Sequence, residues 1–145
     1  MDDKPFSATS FYQYAAEEKL MAAKCNSCGT LWCPPRPICP DCNSDDMEWV
    51  ELSGKGKIST YSVIPYGPVP LLLEGYGRDN PYCAGIIELE EGIKLSGQIL
   101  GVDMEHPENI EIGTPVTVDF IERASWHFIE DAYKNKKVYP VFKVN

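Results

Sequence analysis

The sequence has little of what membranes, polynucleotides or common catalytic machinery require. No apolar run approaches the roughly 20 residues that cross a bilayer; Leu71-Leu72-Leu73 is only a triplet. The first ten residues, MDDKPFSATS, start acidic and have no apolar core, so a secretory signal is not expected and a cytoplasmic location is. Cations are few: 13 Lys+Arg stand against 22 Asp+Glu, a formal net charge of -9. Binding to nucleic acid draws on lysine and arginine neutralising phosphates, and this balance opposes it. Histidine is scarce. His106 sits in the polar stretch MEHPEN, and His127 lies between Trp126 and Phe128. Spacing identifies no nucleophile–base pair, and there is no nucleophile motif, phosphate-cradling loop or acidic metal cluster. Catalysis by this chain alone is not expected.

Cysteine, by contrast, is concentrated. CNSCGTLWCPPRPICPDC holds five of the six cysteines. Four of them form two C-x-x-C pairs, Cys25/Cys28 and Cys39/Cys42, with ten residues between the pairs. Each pair places two thiolates on one side of a tight turn, and two facing turns make a tetrahedral four-sulfur site. Gly29 and Asn43 follow the pairs; both residue types tolerate φ > 0 and let a backbone N–H turn toward a thiolate. Structural disulfides and dithiol redox chemistry are the weaker readings. The first needs an oxidising compartment, and the second needs one pair only. Closed four-thiolate sites are structural, and they suit zinc first and iron second. Cys33 and Cys83 read as small buried hydrophobes.

The rest of the chain is mainly β with one helical segment. SATSFYQYAAEEKLMAAK, from Ser7 to Lys24, reads as a helix with a Ser10–Gln13 capping box. Phe11 and Tyr14 fall on one face and Tyr12 on another, so the helix either folds back on its own chain or docks on a partner or ligand. Five strand patterns follow: 57–64, 82–90, 93–100, 115–123 and 137–145, with a hairpin at Glu91-Gly92. Pro140 confines the last to an edge or a bulge. The count fits a five-stranded OB-fold barrel, with a small sandwich as the alternative. Segments 1–22, 23–48 and 49–145 are expected as helical segment, ribbon and barrel. The 17-residue stretch PYGPVPLLLEGYGRDNP (65–81) is long and apolar for a connection. Leu72 and Tyr76 are its candidate contact residues, whether for the barrel's own end or for a partner. Lys55/Lys57 and Lys134/Lys136/Lys137 are candidate patches for one small anion. Arg36, framed by prolines in PPRP, is expected to meet a carboxylate at the ribbon–barrel junction or a phosphate.

Together these motifs resemble the prokaryotic family catalogued as domain of unknown function 35. The resemblance rests on the cysteine stretch with its Pro34-Pro35-Arg36, on SGKGKISTYSVI, on PYCAGIIELEEGIKLSGQI and on IGTPVTVDF, and it covers nearly the whole chain from about residue 11. It implies an N-terminal helical segment, a rubredoxin-like zinc ribbon and a C-terminal OB-fold. It also implies an accessory subunit that binds acyl-CoA or a fatty acyl ligand, or bridges thiolase-like enzymes, in lipid, isoprenoid or polyketide metabolism and steroid side-chain degradation. Cys25, Cys28, Cys39 and Cys42 match the family's metal ligands. Cys33 stands where a bulky aromatic is common, so it takes no shared role. A nucleic-acid-binding ribbon–OB protein is the rival reading, and the acidic charge counts against it.

Overall fold

A computed structural model describes residues 4–67, 71–72, 74–124 and 136–145. One helix, α1 (Ala8–Ala16), precedes eight strands: β1 (Met21–Cys25), β2 (Leu31–Trp32), β3 (Met47–Glu51), β4 (Lys55–Ile64), β5 (Tyr82–Leu89), β6 (Lys94–Leu100), β7 (Pro115–Ala124) and β8 (Lys136–Val144).

The helix is shorter than its composition suggests, and it starts one turn earlier than the Ser10–Gln13 box. Ser7 is the N-cap, and its side chain accepts from the Ser10 amide at 3.3 Å. Ser10 itself is buried inside the helix. The end is set at Glu18, which takes φ 60. The Glu18 amide donates to the Ala15 carbonyl at 2.9 Å and the Lys19 amide to the Tyr14 carbonyl at 3.0 Å. This pair of bonds satisfies the last carbonyls and turns the chain out of the helix. The expected helix through Lys24 is therefore corrected: Met21–Cys25 is a strand. Helix propensity in Met21-Ala22-Ala23-Lys24 yields to sheet pairing with β3 and to close packing, since Ala22 and Ala23 are fully buried.

Two sheets follow. The ribbon sheet has the order β2-β1-β3, antiparallel throughout. The second sheet is a closed barrel of order β4-β5-β6-β8-β7. All five expected barrel strands form, within two residues of their expected ends. Hairpin β5–β6 turns where Glu91-Gly92 suggested, with the Gly92 amide donating to the Leu89 carbonyl at 2.8 Å. The seam β6–β8 is parallel and pairs only Ile99–Leu100 with Phe142–Lys143. Pro140 pairs across to Phe120 of β7 but lies beyond that short seam, so its missing N–H falls on an open side of the strand. Gly85 is required where β4 bulges between Ile58 and Thr60: a Cβ there would sit 2.1 Å from the Thr60 carbonyl oxygen.

One apolar core joins all three parts. Ile58, Cys83, Ile87, Ile99, Val116 and Phe142 fill the barrel, and Phe11 of α1, Leu20 and Ala22 of the ribbon and Leu52 of the connection belong to the same cluster. Each fully buried large side chain contributes about 1.5–3 kcal/mol, so the ribbon and helix are held on the barrel by burial.

Candidate metal centre

The two knuckles are turns of the same design. In the first, the Gly29 amide donates to the Cys25 carbonyl at 2.8 Å; in the second, the Asn43 amide donates to the Cys39 carbonyl at 2.8 Å. Gly29 (φ 81) and Asn43 (φ 62) both take the left-handed conformation expected of them. Their own N–H groups close the turns, while the amides that serve the sulfurs come from neighbours. The amides of Cys28 and Ser27 serve Cys25, that of Thr30 serves Cys28, and that of Ser44 serves Cys42. The turns are also tied to each other: Ser27 Oγ donates to Ser44 Oγ at 2.9 Å.

The four sulfurs meet. All lie within 4.8 Å of one another, with Cys25 Sγ 3.5 Å from Cys42 Sγ and Cys28 Sγ 3.6 Å from Cys39 Sγ. Tetrahedral zinc–thiolate bonds of about 2.3 Å place sulfurs about 3.8 Å apart, so the cage fits a tetrahedral thiolate-loving ion. Its electrostatics point the same way. The Cys28 amide, with help from the Ser27 amide and the neighbouring sulfurs, draws the Cys25 thiol below its ordinary range against the effect of burial. The Thr30 hydroxyl, then its amide, does so for Cys28. At Cys42 the Ser44 amide favours the thiolate, but the Cys25 sulfur, burial and the Cys28 and Cys39 sulfurs outweigh it, and the thiol is pushed up to about 12. Thiolates packed this closely need a cation among them. Among the described residues this is the one cluster of three or more metal-ligating side chains. When bound, the ion supplies a cross-link between the two turns. Cys33 stays outside it, its thiol pushed up to about 12 by burial, and Cys83 is core.

The candidate contact residues are dispersed. Phe11 and Tyr14 are buried in the chain itself. Tyr14 packs edge-on against Trp49 of β3 at 4.9 Å, and Tyr12 edge-on against Tyr139 of β8 at 5.2 Å. The helix thus lies between ribbon and barrel, which accounts for aromatics on two faces. Arg36 is exposed, and the expected carboxylate partner is not found for it among the described residues. Leu72 is 49% exposed, while Leu71 is buried and Tyr76 packs edge-on against Tyr82 at 5.7 Å. The described part of 65–81 therefore rests on the barrel. Lys57 pairs weakly with Glu88 at 3.9 Å; Lys134 and His127 lie outside the described residues.

Sequence reasoning missed two clusters. Lys4 sits over the Tyr14 ring at 4.2 Å, Phe6 stacks on Trp49 at 4.9 Å, and Trp49 Nε1 donates to the Lys4 carbonyl at 2.9 Å. The N-terminal segment is thereby strapped to the ribbon. In the second, Arg123 meets Glu74 and Gln98, residues too far apart in sequence for any spacing rule.

Two family models match in the order in which the structure lays out its parts: "ChsH2, rubredoxin-like zinc ribbon domain" over residues 13–48 and "ChsH2, C-terminal OB-fold domain" over 49–120. A DUF35 domain-containing scaffold protein of Methanocaldococcus jannaschii is 42% identical over 102 residues, 70% of this chain and 67% of that one. The chain belongs to the ChsH2 (DUF35) family.

Some other relatives are subunits of acyl-CoA enzymes. A probable enoyl-CoA hydratase alpha subunit of Thermomonospora curvata is 35% identical over 77% of this chain, a match that takes in 32% of the longer relative. The benzoylsuccinyl-CoA thiolase subunit BbsA of Thauera aromatica is 32% identical over 57% of this chain and 52% of its own. Among solved structures, a chain of the Ltp2-ChsH2(DUF35) aldolase superimposes with a TM-score of 0.70 at 29% identity, covering 99% of this chain and 98% of that one. The OB-fold match stops at residue 120, yet β8 is what closes the barrel. No described helix is long and apolar enough to cross a membrane.

Proposed function

We propose that this chain is a non-catalytic accessory subunit in the cytoplasm, one that scaffolds a thiolase-type or related acyl-CoA enzyme and helps to hold its acyl-CoA or fatty acyl ligand. The observation that carries this reading is the near end-to-end likeness to one chain of the Ltp2-ChsH2(DUF35) aldolase. Relatives that are a scaffold protein, a hydratase subunit and a thiolase subunit support it. The metal is proposed to be zinc. A site closed by four thiolates leaves no position for substrate, so its role is to shape the ribbon.

The contact surface is proposed to lie on the exposed apolar residues beside the barrel, Leu72 at 49% and Tyr66 at 71% exposure, together with half-buried Tyr76 against Tyr82 and half-buried Tyr12 against Tyr139. Aromatic and apolar anchors of this kind dominate interfaces. Phe11 and Tyr14 contribute at one remove, by seating the helix that presents Tyr12. Arg36 is an exposed cation for a phosphate or for a partner's carboxylate. Segments 1–22, 23–48 and 49–145 are the proposed division into helical segment, ribbon and barrel, with β1 and β3, which pair in the ribbon sheet, running across the two boundaries.

The test is co-expression with a thiolase-type enzyme encoded beside this chain, and affinity capture on a tag carried by either protein. A stoichiometric complex is expected. Tyr66→Asp with Leu72→Asp should abolish capture and leave metal content unchanged. Wild-type capture by that double variant would move the interface elsewhere. Turnover of acyl-CoA by the isolated chain would end the accessory reading.

A further inference from the structure

Arg123, near the end of β7, has a side chain that is only 12% exposed, whereas Arg36 and Arg78 lie in solvent. Its two partners are unlike. Gln98, on β6, is 7% exposed and part of the barrel wall, and its Oε1 accepts from Arg123 Nη2. Glu74 arrives from the connection between β4 and β5, 49 residues away. Its carboxylate accepts from Nε at 2.5 Å and from Nη2 at 3.4 Å, and its side chain is 33% exposed. Half of the guanidinium's surroundings is fixed wall, and the other half is a carboxylate on the solvent side.

A second observation concerns the Gln98 amide. Its oxygen is taken by Arg123, and its NH2 group makes no protein hydrogen bond among the described residues. That nitrogen is not itself buried, since Trp32 Nε1 is the one buried side-chain nitrogen or oxygen without a partner among the described residues, so it reaches solvent and can donate to a ligand there. Glu74 brings two oxygens, and both are engaged by the guanidinium. The cluster therefore has a donor to spare beside a planar fork. Arginine forks pair bidentately with carboxylate or phosphate alike, but a tetrahedral phosphate can give two oxygens to the fork and a third to another donor, where a carboxylate must share the two it has. The Tyr139 ring centroid lies 6.0 Å from the Arg123 guanidinium carbon.

We propose that Arg123 and Gln98 form a phosphate-type oxyanion site on the barrel wall, and that Glu74 is its built-in occupant, displaced when a phosphate-bearing small molecule binds. The inference stands apart from the accessory role, because it concerns one side-chain cluster and needs no partner protein. The chain's charge of -9 gives such a ligand no long-range attraction, so affinity comes from the short-range fork and is weak while Glu74 competes.

Inorganic pyrophosphate is the probe, titrated into the full metal-loaded chain by calorimetry and followed by phosphorus NMR. If Glu74 holds the fork about nine-tenths of the time, freeing it raises apparent affinity about tenfold. Glu74→Gln is therefore expected to bind pyrophosphate about tenfold tighter than wild type. Gln98→Met, with the Arg123–Glu74 pair left in place, should bind more weakly than wild type. Glu74→Gln with Arg123→Lys should not bind. In the wild-type chain itself, the Arg123 Nε–H proton signal should shift on titration, a readout that requires no variant to fold. Succinate should bind Glu74→Gln less well than pyrophosphate does; equal binding would overturn the phosphate preference. Equal pyrophosphate affinity for wild type and Glu74→Gln, or undiminished binding once Arg123 is replaced, would leave a purely structural ion pair and overturn the site.

Discussion

The ribbon and the barrel solve the same problem with different means. The barrel buries Ile58, Ile87, Ile99, Val116 and Phe142 almost completely inside five paired strands. The ribbon has strands of two to five residues, and its fully buried residues are Ala22, Ala23, Cys25 and Cys39. Two alanines cannot hold about 30 residues together, since a module that small needs a staple or a metal. The four sulfurs stand in for a core. The difference teaches where each part is vulnerable: the barrel to lost volume, the ribbon to lost ligands. The shared cluster of Phe11, Leu20, Ala22 and Leu52 with the barrel residues makes the two parts rigid neighbours, which suits a chain that presents surfaces to an enzyme.

The largest effect should come from breaking the ribbon's ligand set. A structural zinc site contributes about 10–16 kcal/mol of apparent binding energy, more than the whole stability of many small domains. Cys25→Ser should lose metal by elemental analysis and unfold the ribbon, while circular dichroism retains the barrel's strand signal. Acid should do the same reversibly, because protons compete with the metal for thiolates. The barrel's counterpart is Phe142→Ala, with an expected loss of about 3–5 kcal/mol in denaturant unfolding and unchanged metal content while the protein is folded. The smallest effect sharpens the junction. Glu18 holds a left-handed conformation that costs a residue with a Cβ roughly 1–2 kcal/mol. Glu18→Gly should raise stability by about 0.5–1 kcal/mol after glycine's greater unfolded-state freedom is set against that relief. A destabilised variant would show that the Glu18 side chain matters more than its backbone.

Legibility in the sequence follows the same division. The barrel strands carry alternation and β-branched residues over seven to ten positions, long enough for a period to show, and all five are legible. The metal ligands carry a fixed spacing, and the four sulfurs do converge. The ribbon strands carry neither signal. β2 is two residues long, and β1 contains Ala22 and Ala23, which read as helix until β3 pairs with them. The helix cap is ambiguous in the sequence because Ser7 and Ser10 offer the same chemistry one turn apart. Trp49 carries no local signal, because its partners Phe6 and Tyr14 lie more than 30 residues upstream. The Arg123–Gln98–Glu74 cluster joins three elements that only the closed barrel brings together.

Hydrogen exchange before and after metal removal tests the division of labour most directly. Chelation should strip protection from the amides of Cys25, Cys39 and their turn neighbours, and from β1–β3 pairs such as Ala23–Trp49. Ile58, Ile87 and Ile99 in the barrel should keep theirs within about tenfold, a change of about 1.4 kcal/mol. Uniform loss of protection across ribbon and barrel, or none in either, would contradict a metal-held ribbon seated on a burial-held barrel.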